Sequence, residues 1–159
     1  MGGVPGRAVA AVQAFARTVA FAMALVAAAP AQAAEGFSAA LAQKLQTERP
    51  AAVDLGTVAP FNWDELFVFA PGTPRDASCK AIQGTWLECR TTLPDPVPAD
   101  RFLLVFRAKG RIVRAEPHPR ANGEFVAASL PQPVQRAAAA FKVSPGAGSS
   151  FRLEWKRAD

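Results

Sequence analysis

The sequence predicts one α+β domain, in which two or three helices pack on an antiparallel sheet of five or six strands and one disulfide ties the chain. Three observations lead to this class. Leu66–Phe69 and Phe102–Phe106 are apolar at every position, which is typical of strands that are covered on both faces of a sheet. Phe37–Leu45 instead repeats its large apolar residues at every fourth position, as a helix does. The two cysteines, Cys79 and Cys89, lie close together in the chain.

The first 33 residues have the features of an export signal. Arg7 and Arg17 come before or beside an uncharged apolar run, Val19–Ala29, and Ala31–Ala33 supplies the small-x-small pattern that precedes a cleavage site at Ala34. The apolar run is shorter than the roughly 20 residues that a membrane-spanning helix needs. We therefore expect cleavage, no transmembrane segment after it, and a periplasmic or secreted protein.

Composition limits the function classes. Removing 33 of 159 residues leaves 126, which is enough for a single domain over residues 34–159. This part has 16 basic and 13 acidic residues, and a net charge of +3 is too small to indicate nucleic-acid binding. One histidine and two cysteines do not make a zinc site, and no glycine-rich phosphate loop is present. We therefore predict no metal and no cofactor.

The cysteine pair predicts a disulfide, because an exported chain matures in an oxidising compartment. A metal site and two free thiols are the alternatives. Apolar and polar residues alternate over Thr85–Arg90, which predicts a strand with Leu87 and Cys89 toward the core. The disulfide would then join this strand to a helix over Pro74–Gln83, with Thr73 as N-cap. The spacing is not that of a Cys-x-x-Cys redox pair, so we expect a structural role.

The remaining elements follow from the same kinds of pattern. Strict alternation over Phe151–Trp155 predicts a strand that closes a hairpin with the Ala139–Ser144 segment. Arg136–Ala140 is compatible with either helix or strand. We also predict a helix over Ala34–Glu48, a short strand over Val53–Val58, an extended loop over Leu93–Asp100, a hairpin of Phe102–Phe106 and Arg111–Glu116 around Lys109 and Gly110, and a short strand over Glu124–Ala127.

Three residues are candidates for catalysis. His118 lies between two prolines in a polar stretch, and we expect it to be a solvated loop residue. Asp64 and Glu65 are adjacent, so in a strand they point to opposite faces and cannot share one substrate. We expect Asp64 to bond to backbone where the strand begins. The sequence therefore assigns no catalytic residue.

Basic residues cluster around the predicted Phe102–Phe106 hairpin. Such charges commonly form the soluble rim that guards a sheet edge against aggregation. They could instead bind an anionic lipid head group, a polyanion or an acidic partner. The candidate binding residues are Arg107, Lys109, Arg111 and Arg114, and the wider cluster adds Arg101 and Arg120.

The segment around the only Trp-Asp dipeptide carries a resemblance. Phe61-x-Trp63-Asp64-x-Leu66-x-Val68-Phe69-x-Pro71, followed by Thr73-Pro74, resembles a group of small exported bacterial proteins of undetermined function. The similarity extends over about Asp54–Phe125, and Gly72 stands where members carry an aromatic residue. It implies a common fold and, in some relatives, membrane attachment, but it brings no catalytic residues.

These observations favour a non-catalytic envelope protein that binds a partner or ligand, either another envelope protein or an anionic molecule. Two other classes stay open. One is a small hydrolase or transferase that uses Asp64, Glu65 or His118. The other is an inhibitor or immunity-type protein, which would form a stoichiometric protein complex.

Overall fold

The computed structural model describes residues 1–2, 36–148 and 150–157. The predicted export signal lies almost entirely outside the described residues and stays a prediction. The described part has the predicted α+β class, with four helices and two four-stranded sheets. No helix within these ranges is long and apolar enough to cross a membrane.

The elements follow one another with short connections. Three 3-10 turns, Arg120–Asn122, Ala127–Ser129 and Arg136–Ala138, lie between the later strands. The helices are α1 (Phe37–Glu48), α2 (Leu55–Val58), α3 (Arg75–Ile82) and α4 (Trp86–Thr92). The strands are β1 (Ala52–Asp54), β2 (Glu65–Phe69), β3 (Arg101–Ala108), β4 (Arg111–Pro119), β5 (Glu124–Phe125), β6 (Val134–Gln135), β7 (Ala140–Pro145) and β8 (Phe151–Trp155).

The strands are divided between two sheets, whereas the sequence suggested a single one. The central sheet has the order β4-β3-β2-β6 and is antiparallel throughout. The second sheet has the order β1-β7-β8-β5, in which β5 runs parallel to β8. Both predicted hairpins are confirmed: β3 pairs with β4 through the turn at Lys109 and Gly110, and β7 pairs with β8.

The central sheet is covered on both faces, which is why Leu66–Phe69 in β2 and Phe102–Phe106 in β3 are apolar at every position. Leu104 and Phe106 face α1 and the second sheet in a large core, where the Phe106 ring centroid lies 5.0 Å from that of Phe37 and 5.4 Å from that of Trp63. Leu103 belongs to a smaller core on the other face, beneath α3 and α4. The predicted central position of both strands is confirmed.

The segment Thr85–Arg90 is helical, so the predicted strand is wrong. Thr85 is the N-cap of α4, and its hydroxyl accepts a hydrogen bond from the backbone N–H of Glu88 at 3.3 Å. A helix places Cys89 in the core while Leu87 is 63% exposed, against the expectation that both face inward. The predicted disulfide between Cys79 and Cys89 is confirmed, with a Cα–Cα distance of 5.6 Å, but it joins two helices.

Several other boundaries differ from the predictions; the strand β5, for example, ends at Phe125 and not at Ala127. The stretch Val53–Val58 is not all strand, because the Asp54 carboxylate accepts from the N–H of Gly56 at 2.8 Å and starts α2. The N-cap position of α3 is Pro74 and not Thr73, no side chain caps this helix, and the Thr73 hydroxyl donates to the carbonyl of Ala70. The ambiguous Arg136–Ala140 segment is a 3-10 turn that leads into β7.

Candidate functional site

His118 is fully buried, and the prediction of a solvated loop residue is wrong. Strand β4 continues to Pro119 and turns the imidazole toward α1. Its Nδ1 lies 2.8 Å from the hydroxyl of Ser38, and its Nε2 lies 2.8 Å from the carbonyl oxygen of Gly123. A carbonyl can only accept, so Nε2 carries the hydrogen and Nδ1 accepts from Ser38.

Burial lowers the pKa of His118 to about 4, because the charged imidazolium is poorly solvated in the core. The hydrogen bond to Gly123 and the negative charge of Glu116 act in the opposite direction but are the weaker influences. The ring is therefore neutral at pH 7. The Ser38 hydroxyl also accepts from the side-chain amide of Asn122 at 3.1 Å, so the ring and hydroxyl are fully bonded.

A serine that donates to a histidine is also the arrangement of an activated nucleophile. Here Ser38 is only 6% exposed, and neither Ser38 nor His118 lines any of the open clefts described below. The contact therefore connects the start of α1 to β4. Its chemistry is that of a satisfied internal hydrogen-bond network.

Glu116 completes this connection. Its carboxylate accepts from the backbone N–H groups of Phe37 at 3.2 Å and Ser38 at 2.6 Å, and Arg114 Nε donates to it at 2.5 Å. These N–H groups are otherwise unpaired at a helix start, where negative charge is also favoured. Gly36 precedes the helix because a Cβ there would lie 3.3 Å from the Glu116 carboxylate. Glu116 thus replaces a local N-cap side chain.

The two adjacent acids are separated, as predicted. The carboxylate of Asp64 accepts from the backbone N–H of Lys109 at 2.7 Å, which confirms its expected bond to backbone. Glu65 instead forms an ion pair with Arg107 at 3.3 Å on the small-core face of the central sheet. The structure therefore does not bring the three catalytic candidates together.

The four candidate binding residues do not form one patch. Arg107 lies over the Phe67 ring on the small-core face, whereas Arg114 lies over the Phe61 ring on the large-core face. Both are ion-paired, but Lys109 and Arg111 are exposed at the end of the hairpin and form no ion pair within the described ranges. Their role in binding stays a prediction.

The outer members of the basic cluster are also paired. Arg101 bonds to Asp100 at 2.6 Å, and Arg120 bonds to Glu124. Lys109 and Arg111 are therefore the members of the cluster that form no ion pair within the described ranges, and the Asp64 carboxylate lies at the same turn.

The Trp-Asp dipeptide lies beside an open cleft of about 590 Å³ that sequence reasoning did not find. Trp63, Asp64, Asp54 and Arg136 are among its lining residues. Trp63 is 1% exposed, and its indole N–H has no acceptor among the described residues. The guanidinium carbon of Arg136 lies 5.7 Å from the indole, and Arg136 Nη2 donates to the carbonyl of Gly56 at 3.2 Å.

A larger cleft of about 870 Å³ lies between the end of α1 and the β7–β8 hairpin. Arg49 is the charged residue among its described lining, and Asn122, Ser144 and Ser150 supply hydrogen-bonding groups beside the ring of Phe151. This volume falls within the range of small-molecule sites. One cation, several neutral polar groups and one ring suit a small ligand with an anionic group.

Across the described ranges, no three side chains of histidine, cysteine, aspartate or glutamate lie close enough to hold a metal ion. Comparison with protein-family models, with curated proteins and with solved structures finds no match. Function is therefore inferred from the geometry of this chain, and the resemblance to small exported bacterial proteins stays a prediction.

Proposed function

We propose that the chain is exported to the cell envelope or the medium, where it binds a partner or ligand without transforming it. One observation carries the proposal. Each residue that the sequence offers for catalysis has a bonding role in the fold: Asp64 holds the β3–β4 turn, Glu65 pairs with Arg107, and His118 joins β4 to α1.

The disulfide supports export. Cys79 and Cys89 are bonded, and structural disulfides persist in oxidising compartments. The first 33 residues have the pattern of an export signal, and the bonded cysteines agree with export. Both favour the periplasm or the medium.

Charge supports an anionic ligand or an acidic envelope protein as the molecule that is bound. The residues after position 33 have a net charge of +3, and Lys109, Arg111 and Arg49 form no ion pair within the described ranges. Exposed charge of one sign attracts the opposite charge and raises the rate of encounter.

The test expresses the full-length protein with a C-terminal affinity tag and locates it by fractionating the host cells. We expect the recovered protein to begin at Ala34, to lie in the periplasm or medium, to contain no free thiol, and to capture a partner after cross-linking. Retention in the cytoplasm with two free thiols would contradict export.

Two conservative variants separate binding from catalysis. Asp64→Asn and Glu65→Gln keep acceptor atoms at both positions. We therefore expect both variants to fold and to give cells the same phenotype as the wild-type protein does. Loss of the phenotype in a variant with normal urea stability would contradict the purely structural role of that carboxylate, on which the proposal depends, and turnover of a substrate would then be tested. A stoichiometric complex with one protein would instead favour the inhibitor class.

A further inference from the structure

The cleft beside Trp63 contains a buried hydrogen-bond donor that has no partner in the described part of the chain. Trp63 is 1% exposed and its indole N–H meets no acceptor, although Trp63 lines a cleft of about 590 Å³. Buried donors are almost always bonded, because an unpaired donor loses its hydrogen bonds to water without replacement. The indole N–H therefore indicates an acceptor that the fold itself does not supply.

The same cleft contains a cation that no acid neutralises. Arg136 is half-buried, and its guanidinium carbon lies 5.7 Å from the centre of the Trp63 ring. Its Nη2 donates to the carbonyl of Gly56 at 3.2 Å, and Arg136 forms no ion pair among the described residues. A guanidinium has five N–H donors, so most of them remain for an anionic group.

Asp54 supplies the opposite charge beside Arg136. Its Oδ1 accepts from the N–H of Gly56 at 2.8 Å, whereas Oδ2 has no partner within the described ranges. A Cβ at Gly56 would lie 3.0 Å from Oδ1 of Asp54 and 3.4 Å from Cγ of Arg136, so both side chains approach the same backbone position. The acid and the cation are therefore neighbours in the cleft, yet they do not form an ion pair.

Asp64 is the other acid of the cleft, and it has a role in the fold. Its Oδ2 accepts from the N–H of Lys109 at 2.7 Å, and its carbonyl accepts from the backbone N–H of Arg136 at 2.8 Å. Asp54 and Asp64 together exceed the charge of Arg136 by one negative unit. A ligand with only an anionic group is therefore not favoured here, whereas a ligand that also has a cationic group complements the lining.

We propose that this cleft, hereafter the Trp63 cleft, binds a small zwitterion of the α-amino-acid type, with its carboxylate on Arg136 and the Trp63 N–H and its ammonium on Asp54. The proposal rests on the proposed binding function and names a ligand class for it. A carboxylate has two oxygens and can accept from both donors. The ammonium donates to Oδ2 of Asp54. The volume of the cleft lies within the range of small-molecule sites.

The experiment titrates the disulfide-bonded protein with each of the common L-amino acids in turn and follows the indole N–H signals by NMR. The sequence has three tryptophans, and Trp63→Phe identifies the signal of Trp63. We expect at least one amino acid to bind with a dissociation constant of about 1 mM or tighter. Its binding should move the Trp63 signal downfield, because the N–H gains an acceptor. Binding that leaves this signal in place, or no binding by any amino acid, would overturn the proposal.

Two derivatives of the amino acid that binds most tightly test the two charges separately. The N-acetyl derivative lacks the ammonium, and the α-carboxamide lacks the carboxylate. Each should bind more weakly by about tenfold or more, since each loses a hydrogen bond between charged groups. Equal binding by either derivative would show that the cleft recognises one charge only, which contradicts a zwitterion.

Asp54→Asn and Asp64→Asn are a matched pair, because each removes one negative charge from the cleft. Asparagine is as good an N-cap as aspartate and keeps an acceptor for the N–H of Gly56, so α2 should stay folded. We expect Asp54→Asn to weaken binding by about tenfold and Asp64→Asn by less than about threefold, since Asp64 makes no contact with the ligand. Equal losses would mean that net charge alone sets the affinity, and the role of Asp54 would be wrong.

Arg136→Gln removes the cation, and Arg152→Gln makes the same change at an exposed position of β8. We expect binding to fall by about tenfold or more in Arg136→Gln and to be unchanged in Arg152→Gln. Urea denaturation checks that both variants are folded. Wild-type affinity in folded Arg136→Gln would overturn the assignment of the carboxylate.

This outcome is separable from that of the proposed function. If no amino acid binds but the exported protein still captures a partner, the assignment of the Trp63 cleft fails and the binding function stands. If the protein is not exported, the proposed function fails whatever the titration shows.

Discussion

The two faces of the central sheet are stabilised in different ways. The face toward α1 and the second sheet belongs to a core of 17 buried residues, whereas the face toward α3 and α4 belongs to a core of eight. The helices over the smaller core have eight and seven residues, too short to be stable without support. The disulfide between Cys79 and Cys89 joins those two helices. Packing thus stabilises one face, and packing with a covalent bond stabilises the other.

Adjacent leucines on β3 test this comparison most directly, because Leu104 faces the large core and Leu103 the small one. We expect Leu104→Ala to lower the free energy of unfolding by about 3–5 kcal/mol and Leu103→Ala by about 2–3 kcal/mol. The reason is that two short helices can settle into a cavity more easily than two packed sheets. Urea denaturation without reductant measures both. Equal or reversed values would contradict the distinction.

The large face also contains the buried polar network of His118, which predicts a dependence on pH. The pKa of His118 is about 4 in the folded protein against 6.5 when unfolded, so between these values the unfolded state binds more protons. Stability is therefore complete above pH 6.5 and falls as the pH drops toward 4, by about 3 kcal/mol in total. Urea denaturation between pH 7 and 5 should show most of this loss.

The control for this pH dependence is His118→Gln. His118 is the only histidine in the sequence, so the variant has no side chain that titrates as histidine does. We expect it to be less stable at pH 7 but to have a nearly flat profile from pH 7 to 5. The same slope in the variant and the wild type would mean that other groups cause the dependence.

How much of this fold could be predicted depends on whether a signal is local. The buried strands β2 and β3 and the turn at Lys109 and Gly110 were predictable, because residues at successive positions carry the signal. The helix α4 also has a local signal in the sequence. Thr85 and Glu88 have the spacing of a capping box, and this signal for a helix outweighs the signal for a strand from an alternation of only six residues.

The position of His118 had no local signal. Prolines on both sides suggested a loop, but Pro117 and Pro119 are accommodated because β4 is an edge strand of the central sheet. The partner that explains its burial, Ser38, lies 80 residues away in the sequence. For the same reason neither cleft could be predicted, since each is lined by segments that only the tertiary fold brings together.

The small face can be examined by removing its covalent bond. Cys79→Ala/Cys89→Ala should lower the free energy of unfolding by about 2–3 kcal/mol, the amount expected for a loop of this length. Hydrogen exchange should show the loss first in α3 and α4, while amides of β3 keep their protection until global unfolding. Wild-type protein in reductant is the matched control. A uniform loss of protection across both cores would mean that the two faces unfold as one unit.

The smallest expected effect is at Asp64, which holds the β3–β4 turn at the end of the sheet that both cores share. Its carboxylate accepts from the N–H of Lys109 at 2.7 Å, but the residue is exposed, so water replaces the bond when it is lost. We expect Asp64→Ala to lower the free energy of unfolding by about 1 kcal/mol and Asp64→Asn by less, since the amide oxygen still accepts. Urea denaturation measures both values, and a loss above about 2 kcal/mol would show that the turn supports the cores more strongly than its exposure indicates.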